Sequence, residues 1–283
     1  MGGKPNVSET CYRYDGSFCG FLSAVFESFA RREIPFGVYG PEEGQVTLFG
    51  GREIASDTVR AQRVIKGLHR LGGMVWEWVT TIFCAATPGK DTILLRFVHC
   101  AFAYGAEAVH MLGNGDVAAA FSLYRAVRNE VCHFIEFIRF EEREGVLGAM
   151  IHPRHRVLRM LNEHFVSRLP DETFLIYDAT HHEALLRSPQ GVEYRPMERY
   201  LPRSEDAEET WQSLWKCFYR ATTIEERRNL RAQRTHLPKR FWADLCELQP
   251  DPPLRPERPG TDPATTAANG TAGLLQASRA GAT

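Results

Sequence analysis

Arginine dominates the chemistry available near the C-terminus of this chain. Residues 214–242 read LWKCFYRATTIEERRNLRAQRTHLPKRFW. Between Lys216 and Arg240 eight basic residues (Lys216, Arg220, Arg227, Arg228, Arg231, Arg234, Lys239, Arg240) face two acids, Glu225 and Glu226. The whole chain has a formal charge of -1, so this basicity is local. Guanidinium forks grip phosphate oxygens two at a time. Asn229, Gln233 and His236 add hydrogen-bonding groups, and Trp215, Phe241 and Trp242 add rings that pack a core or stack on an unpaired base. A local basic stripe of this kind suits a polyanion, most often nucleic acid. The alternative is a solvated helix face beside a core-packing LWxxF. The candidate nucleic-acid ligands are Arg227, Arg228, Asn229, Arg231, Gln233, Arg234, Lys239, Arg240 and Trp242. A second stripe, Arg60, Arg63, Lys66 and Arg70, recurs at spacings of three and four opposite Val64, Ile65, Leu68 and Leu71. It adds phosphate contacts if it shares a surface with the first; otherwise it is the wet face of an amphipathic helix.

Carboxylates and imidazoles are the other reactive groups. Asp15 and Asp178 stand at the ends of short apolar runs, where a carboxylate serves as base, metal ligand, turn former or cap. Glu130 falls on an amphipathic helix, as does Glu27. His164 lies beside Phe165 at helical spacing from Leu161 and Arg168, a pattern typical of a packed histidine. Asp15, Glu130, Asp178 and His164 are therefore the catalytic candidates. His152 and His155 flank a proline in a basic loop, without the third and fourth ligands that zinc needs. His181 and His182 are also left unpaired. The sequence expects no metal.

Composition sets the outer bounds. At 283 residues and 43% hydrophobic, the chain can bury a substantial core. No uninterrupted run of 18 apolar residues occurs and the N-terminus lacks an apolar signal region, so a cytoplasmic protein with no membrane contact is expected. Gly2 and Gly3 lack the Ser or Thr at position 6 that myristoylation favours. Seven cysteines form no CxxC pair and read as small core residues. No GxGxxG, Walker loop, GxSxG elbow or Cys-His-Asn signature is present, and the radical-SAM CxxxCxxC pattern is absent; no cofactor is expected.

These groups need elements to hold them. Residues 12–14 form a short strand ending at Asp15-Gly16, with Ser17 capping a helix that turns Phe18, Phe21, Leu22, Val25, Phe26 and Phe29 inward. Residues 45–49 and 52–54 read as strands. Asp57 caps a helix to about Leu71, stopped by Gly72-Gly73. Helices follow over 74–86, 92–104 and 116–136. Residues 138–142 and 146–151 form a hairpin around Glu144-Gly145. A helix spans 157–169, a strand pair 173–177 and 184–187, and helices 207–221 and 225–235, with Pro238 opening a last short one. Strands in a run rather than alternating with helices predict an α+β fold, helix-rich with a small, mostly antiparallel sheet. One domain over 11–248, with a possible sub-division near 137, precedes a Pro/Ala/Thr/Gly-rich tail over 249–283 that reads as disordered.

The order of residues carries a resemblance. The run R-x-N-x-x-x-Q-x-x-x-x-P-x-R-[YF]-W, from Arg227 to Trp242, is similar to the C-terminal signature of a bacterial family described as "probable DNA metabolism protein". Tyr14-Asp15-Gly16-Ser17-Phe18 with Gly20-Phe21-Leu22 and Val25-Phe26-Glu27 resembles that family's N-terminal motif. Ile138-Arg139-Phe140 resembles the family's FxRF strand, and His164-Phe165 with Arg168 followed by Ile176-Tyr177-Asp178 resembles its HFxxR…IYD, so the likeness covers about residues 11–248. The resemblance implies a DNA-repair setting beside a radical-SAM DNA-modification or repair protein. It also implies kinship with domains that precede uracil-DNA glycosylase-like domains. The chain departs from the family at His181, where Arg is usual, and at Cys132, where His is expected. The expectation is an accessory DNA-repair protein that binds DNA, or docks the radical-SAM partner, through its basic C-terminal surface. The alternatives are an enzyme acting on a DNA base or backbone through carboxylates, and an interaction module with no DNA affinity.

Overall fold

The computed structural model describes residues 6–41, 51–143, 145–200 and 206–249. Contacts divide the chain into Met1–Leu248 and Gln249–Thr283; the fold below is that of the first unit. The strand expected over 45–49, residue 144 of the expected hairpin turn and the tail beyond 249 lie outside the described residues.

The first half begins with a parallel crossover. Strand β1 (Asn6–Arg13) leads into helix α1 (Phe18–Arg31) and back to β2 (Glu33–Tyr39), which pairs parallel with β1. Asp15 accepts the backbone N–H and hydroxyl of Ser17, and Ser17 caps α1 by accepting from the N–H of Gly20. A side chain at Gly20 would run into the Asp15 carboxylate, so the small residue is what lets this turn close. Strand β3 (Gly51–Glu53) adds to the other side of β1, again parallel. Helices α2 (Thr58–Leu71, capped by Asp57), α3 (Gly73–Phe83), α4 (Lys90–Tyr104) and the start of α5 (Gly115–Phe137) close over this sheet. Their shared core holds Tyr12, Phe21, Leu22, Trp78, Phe97 and Leu68. Of the face expected on α1, Phe21, Leu22 and Val25 are buried, but Phe29 is exposed and stacks on His99. Among the described residues one helical stretch, Lys90–His110, is long and apolar enough by composition to cross a membrane; here Leu94, Leu95, Phe97, Val98 and Ala101 are buried in the core.

The second half is built on a five-stranded sheet in the order β4-β5-β6-β7-β8: β4 (Glu141–Arg143), β5 (Val146–Ile151), β6 (Thr173–Asp178), β7 (Glu183–Ser188) and β8 (Gly191–Pro196). β5 and β6 run parallel because α6 (Leu158–Arg168) carries the chain back between them, while the short turns on either side make antiparallel pairs. The helix-rich α+β expectation therefore stands, but the strands are not mostly antiparallel: the three-stranded sheet is parallel and the five-stranded sheet is mixed. Helical crossovers over α1 and α6 produce the parallel β1–β2 and β5–β6 pairs, and β3 adds a third parallel pair on β1. The second core gathers Val131 and Phe134 of α5, Ile151, Leu161, Phe165, Phe174, Ile176, Leu185 and Phe241.

The C-terminal segment runs through α7 (Asp206–Thr222), a 3-10 turn (Glu225–Arg227), α8 (Leu230–His236) and two more 3-10 turns, Lys239–Asp244 and Cys246–Leu248. The continuous helix expected over 225–235 is broken. Arg228 and Asn229 are extended, and Asn229 restarts the helix by accepting from the N–H groups of Arg231 and Ala232. Of the cysteines, Cys11 is buried and Cys132 and Cys217 are exposed, with the other four between.

Candidate nucleic-acid interface

The basic segment is tacked to the second core by its apolar residues, which leaves Arg227, Arg231 and Arg234 in water. Phe241 is buried, stacks on His133 at 5.0 Å and meets Phe134 edge-on. Trp242 donates its indole N–H to the carbonyl of Leu237 at 3.0 Å, and Lys239 lies over its ring. Both rings are thus engaged in packing. Arg227, Arg231 and Arg234 are exposed and have no carboxylate partner among the described residues. Arg228 is compensated by Glu225 at 3.4 Å. Asn229 is used as a cap, and Gln233 is half-buried.

Arg240 is different. Its guanidinium passes over the ring of Phe241 and reaches Glu130 at 3.5 Å. Glu130 stands on α5 with 0% exposure. One of its oxygens accepts the N–H of Arg154 at 3.1 Å and the other the N–H of His155 at 2.7 Å. This buried carboxylate therefore holds the β5–α6 loop against α5 and ties Arg240 to it. Three further bonds fix the same loop. The Nδ1 of His155 accepts the N–H of Ala86, the N–H of Arg156 donates to the carbonyl of Cys84, and His152 Nδ1 lies 2.8 Å from Asp244. Because Nδ1 of His155 accepts, its neutral ring carries the proton on Nε2. Burial lowers its pKa, with the charge of Glu130 pulling the other way.

Asp178 ends β6 beside this loop, at the carboxyl end of the parallel β5–β6 pair, the edge where α/β sheets commonly bind ligands. It is 1% exposed. One oxygen accepts the N–H groups of Thr180 and His181, and the other is 2.6 Å from Nδ1 of His181. The side chain of His181 is 11% exposed. A carboxylate on Nδ1 fixes the ring so that Nε2 is the working nitrogen, the arrangement of an oriented proton acceptor. His181, left unpaired in the sequence reading, thus has a partner. The signal was the i, i+3 spacing from Asp178 across a turn. His182 has one too: its Nδ1 lies 3.3 Å from the hydroxyl of Tyr177.

The remaining candidates are separate from this cluster. Asp15 is exposed; hydrogen bonds from Ser56 and Ser17 lower its pKa, and it acts as a turn former. His164 meets Phe165 edge-on at 5.0 Å. Of the α2 stripe, Arg60 is engaged by Glu27 and Asp57, and Arg60 and Arg63 cover the ring of Phe26; Lys66 and Arg70 are exposed. α2 packs on α1, α3 and α4 in the first core, whereas the C-terminal segment is anchored in the second. No group of three His, Cys, Asp or Glu converges as metal ligands among the described residues.

No curated protein matches this chain. A family model described as a domain of unknown function, DUF4130, matches residues 88–247. That stretch takes in Glu130, the β5–α6 loop, Asp178, His181 and the whole basic segment, and leaves out β1 to α3. With more than half its length matched by that model, the chain belongs to the DUF4130 family of uncharacterised domains.

Proposed function

We propose that this protein binds nucleic acid, DNA in the first instance, through the cationic surface of residues 227–240. In this reading it is a cytoplasmic accessory factor in DNA repair or metabolism, without membrane contact, working beside a radical-SAM DNA-modifying partner. The domains preceding uracil-DNA glycosylase-like domains would be its kin. The observation that carries the reading is the exposure of Arg227, Arg231 and Arg234 with no carboxylate partner among the described residues, on a segment whose aromatic residues are used for anchoring. Such cations bind a phosphate backbone by displacing its counterions, which gives affinity with little sequence readout. The test is affinity for a short mixed-sequence DNA duplex across a salt series; binding that does not weaken with salt would refute the reading.

A second reading follows from α7. Leu214 and Phe218 are 54% and 57% exposed on one helical face, beside the less exposed Trp215 and Tyr219. An apolar face of this kind suits docking of a protein partner. A pull-down of the radical-SAM partner with a Leu214→Ser, Phe218→Ser variant tests it: undiminished capture would exclude this face. The Asp178–His181 pair supports a third, enzymatic reading. If the pair acts on DNA, Asp178→Asn would abolish turnover of damaged oligonucleotides that the wild type processes; equal turnover would remove the pair from that role.

A further inference from the structure

The loop between β5 and α6 carries a row of cations that the C-terminal basic segment does not include. Burial alternates strictly along it: Ile151, Pro153, His155 and Val157 are buried, while His152, Arg154 and Arg156 are exposed. The chain bends at Arg154 and His155, where two successive N–H groups turn inward to Glu130, and the side chains of Arg154 and Arg156 are left facing solvent beside His152. His152 is matched by Asp244, but Arg154 and Arg156 have no carboxylate partner among the described residues. The loop is held from beneath by buried Glu130, by the Ala86 N–H and by the Cys84 carbonyl. Two bridges make the row continuous with the C-terminal surface, Arg240 to Glu130 and Asp244 to His152. Helix α6 begins directly after it, and its N-cap residue Val157 makes no capping hydrogen bond, so the positive end of the helix adds to the local field.

We propose that Arg154 and Arg156 form a preorganised phosphate-backbone clamp, the second contact element for the strand bound on residues 227–240. This rests on the nucleic-acid reading above. A loop already fixed in its bound shape loses little conformational freedom on binding. The clamp takes the place that the α2 stripe would otherwise fill.

The experiment compares wild type, Arg154→Gln/Arg156→Gln and Arg63→Gln/Lys66→Gln for affinity toward a short mixed-sequence DNA duplex across a salt series, with circular dichroism and melting as controls. Both arginines are exposed, so the fold should persist. The loop variant should flatten the plot of log K against log salt by about 2 units, at roughly 0.9 per phosphate, and the α2 variant should leave it unchanged. A wild-type slope that persists in the folded loop variant overturns the clamp while leaving the C-terminal surface standing. Flattening by the α2 variant alone also overturns it. No salt-dependent binding by the wild type overturns both readings.

Discussion

A carboxylate without exposed surface is tolerable only when its oxygens are fully used. Glu130 meets that requirement with two loop N–H groups and Arg240, which gives Arg240 a different role from its neighbours. Arg240→Ala should cost about 1 to 3 kcal/mol, because it strips a buried charge of a partner. Arg231→Ala, in water, should change stability by no more than about 0.5 kcal/mol. Urea unfolding of the two variants checks this; equal stabilities would mean that Glu130 does not depend on Arg240. Arg240 is accordingly a poor probe of DNA binding, since its removal disturbs the loop as well. His99 shows another residue-scale effect. The hydroxyl of Ser28 donates to the carbonyl of Glu33 and so accepts from Nε2 of His99. Burial pushes the pKa of His99 down from 6.5 to about 4. The unfolded chain then binds a proton that the folded one refuses between those values. Stability is full above about pH 7 and falls as pH drops toward 4, by up to about 3 kcal/mol from this residue. His155, also shifted down by burial, acts in the same direction. Melting midpoints between pH 7.5 and 5 should decline in the wild type and decline less in His99→Gln. Parallel curves would rule out His99 as a source.

At the scale of elements, α1 is bound to the sheet by Phe21, which is fully buried, whereas Phe26 is only part-buried under Arg60 and Arg63. Phe21→Ala should cost about 3 to 5 kcal/mol and Phe26→Ala clearly less; chemical denaturation of the pair tests the order. The α1 and α2 caps were legible because Ser17 and Asp57 are strong N-cap types ahead of periodic apolar runs. Strand β2 was not, because EIPFGVY contains Pro35 and Gly37 and does not alternate. It is tolerated because β2 lies at the sheet edge, where a missing N–H costs no ladder bond. β8, GVEYRP, escaped for the same reason, as the other sheet's polar edge. The break at Arg228 was hidden by helix-favouring neighbours, although Asn229 was an available cap signal. Within the site, the basic residues and Asp178 were readable one by one. Their meeting was not, since Glu130, residues 154–155, Asp178 and Arg240 come together only through tertiary packing. The alternation over 151–157 was obscured by a histidine on its buried side.

At the scale of the molecule, α5 joins two cores, giving Val117, Ala120 and Leu123 to one and Val131 and Phe134 to the other. The cationic surface belongs to the second. The tail after Pro250 has no aromatic residue and little to bury; truncation at residue 249 should leave the melting temperature unchanged, and a large drop would show that the tail docks. The central claim is that Arg227, Arg231 and Arg234, exposed and without a carboxylate partner among the described residues, hold a phosphate backbone. Its most direct test is the salt dependence of DNA affinity for the wild type and for Arg227→Ala/Arg231→Ala/Arg234→Ala, with circular dichroism confirming the fold. The predicted result is linear weakening with log salt in the wild type and a slope flatter by about 2 to 3 units in the variant, at roughly 0.9 per phosphate released. An unchanged slope in the folded triple variant would contradict the claim.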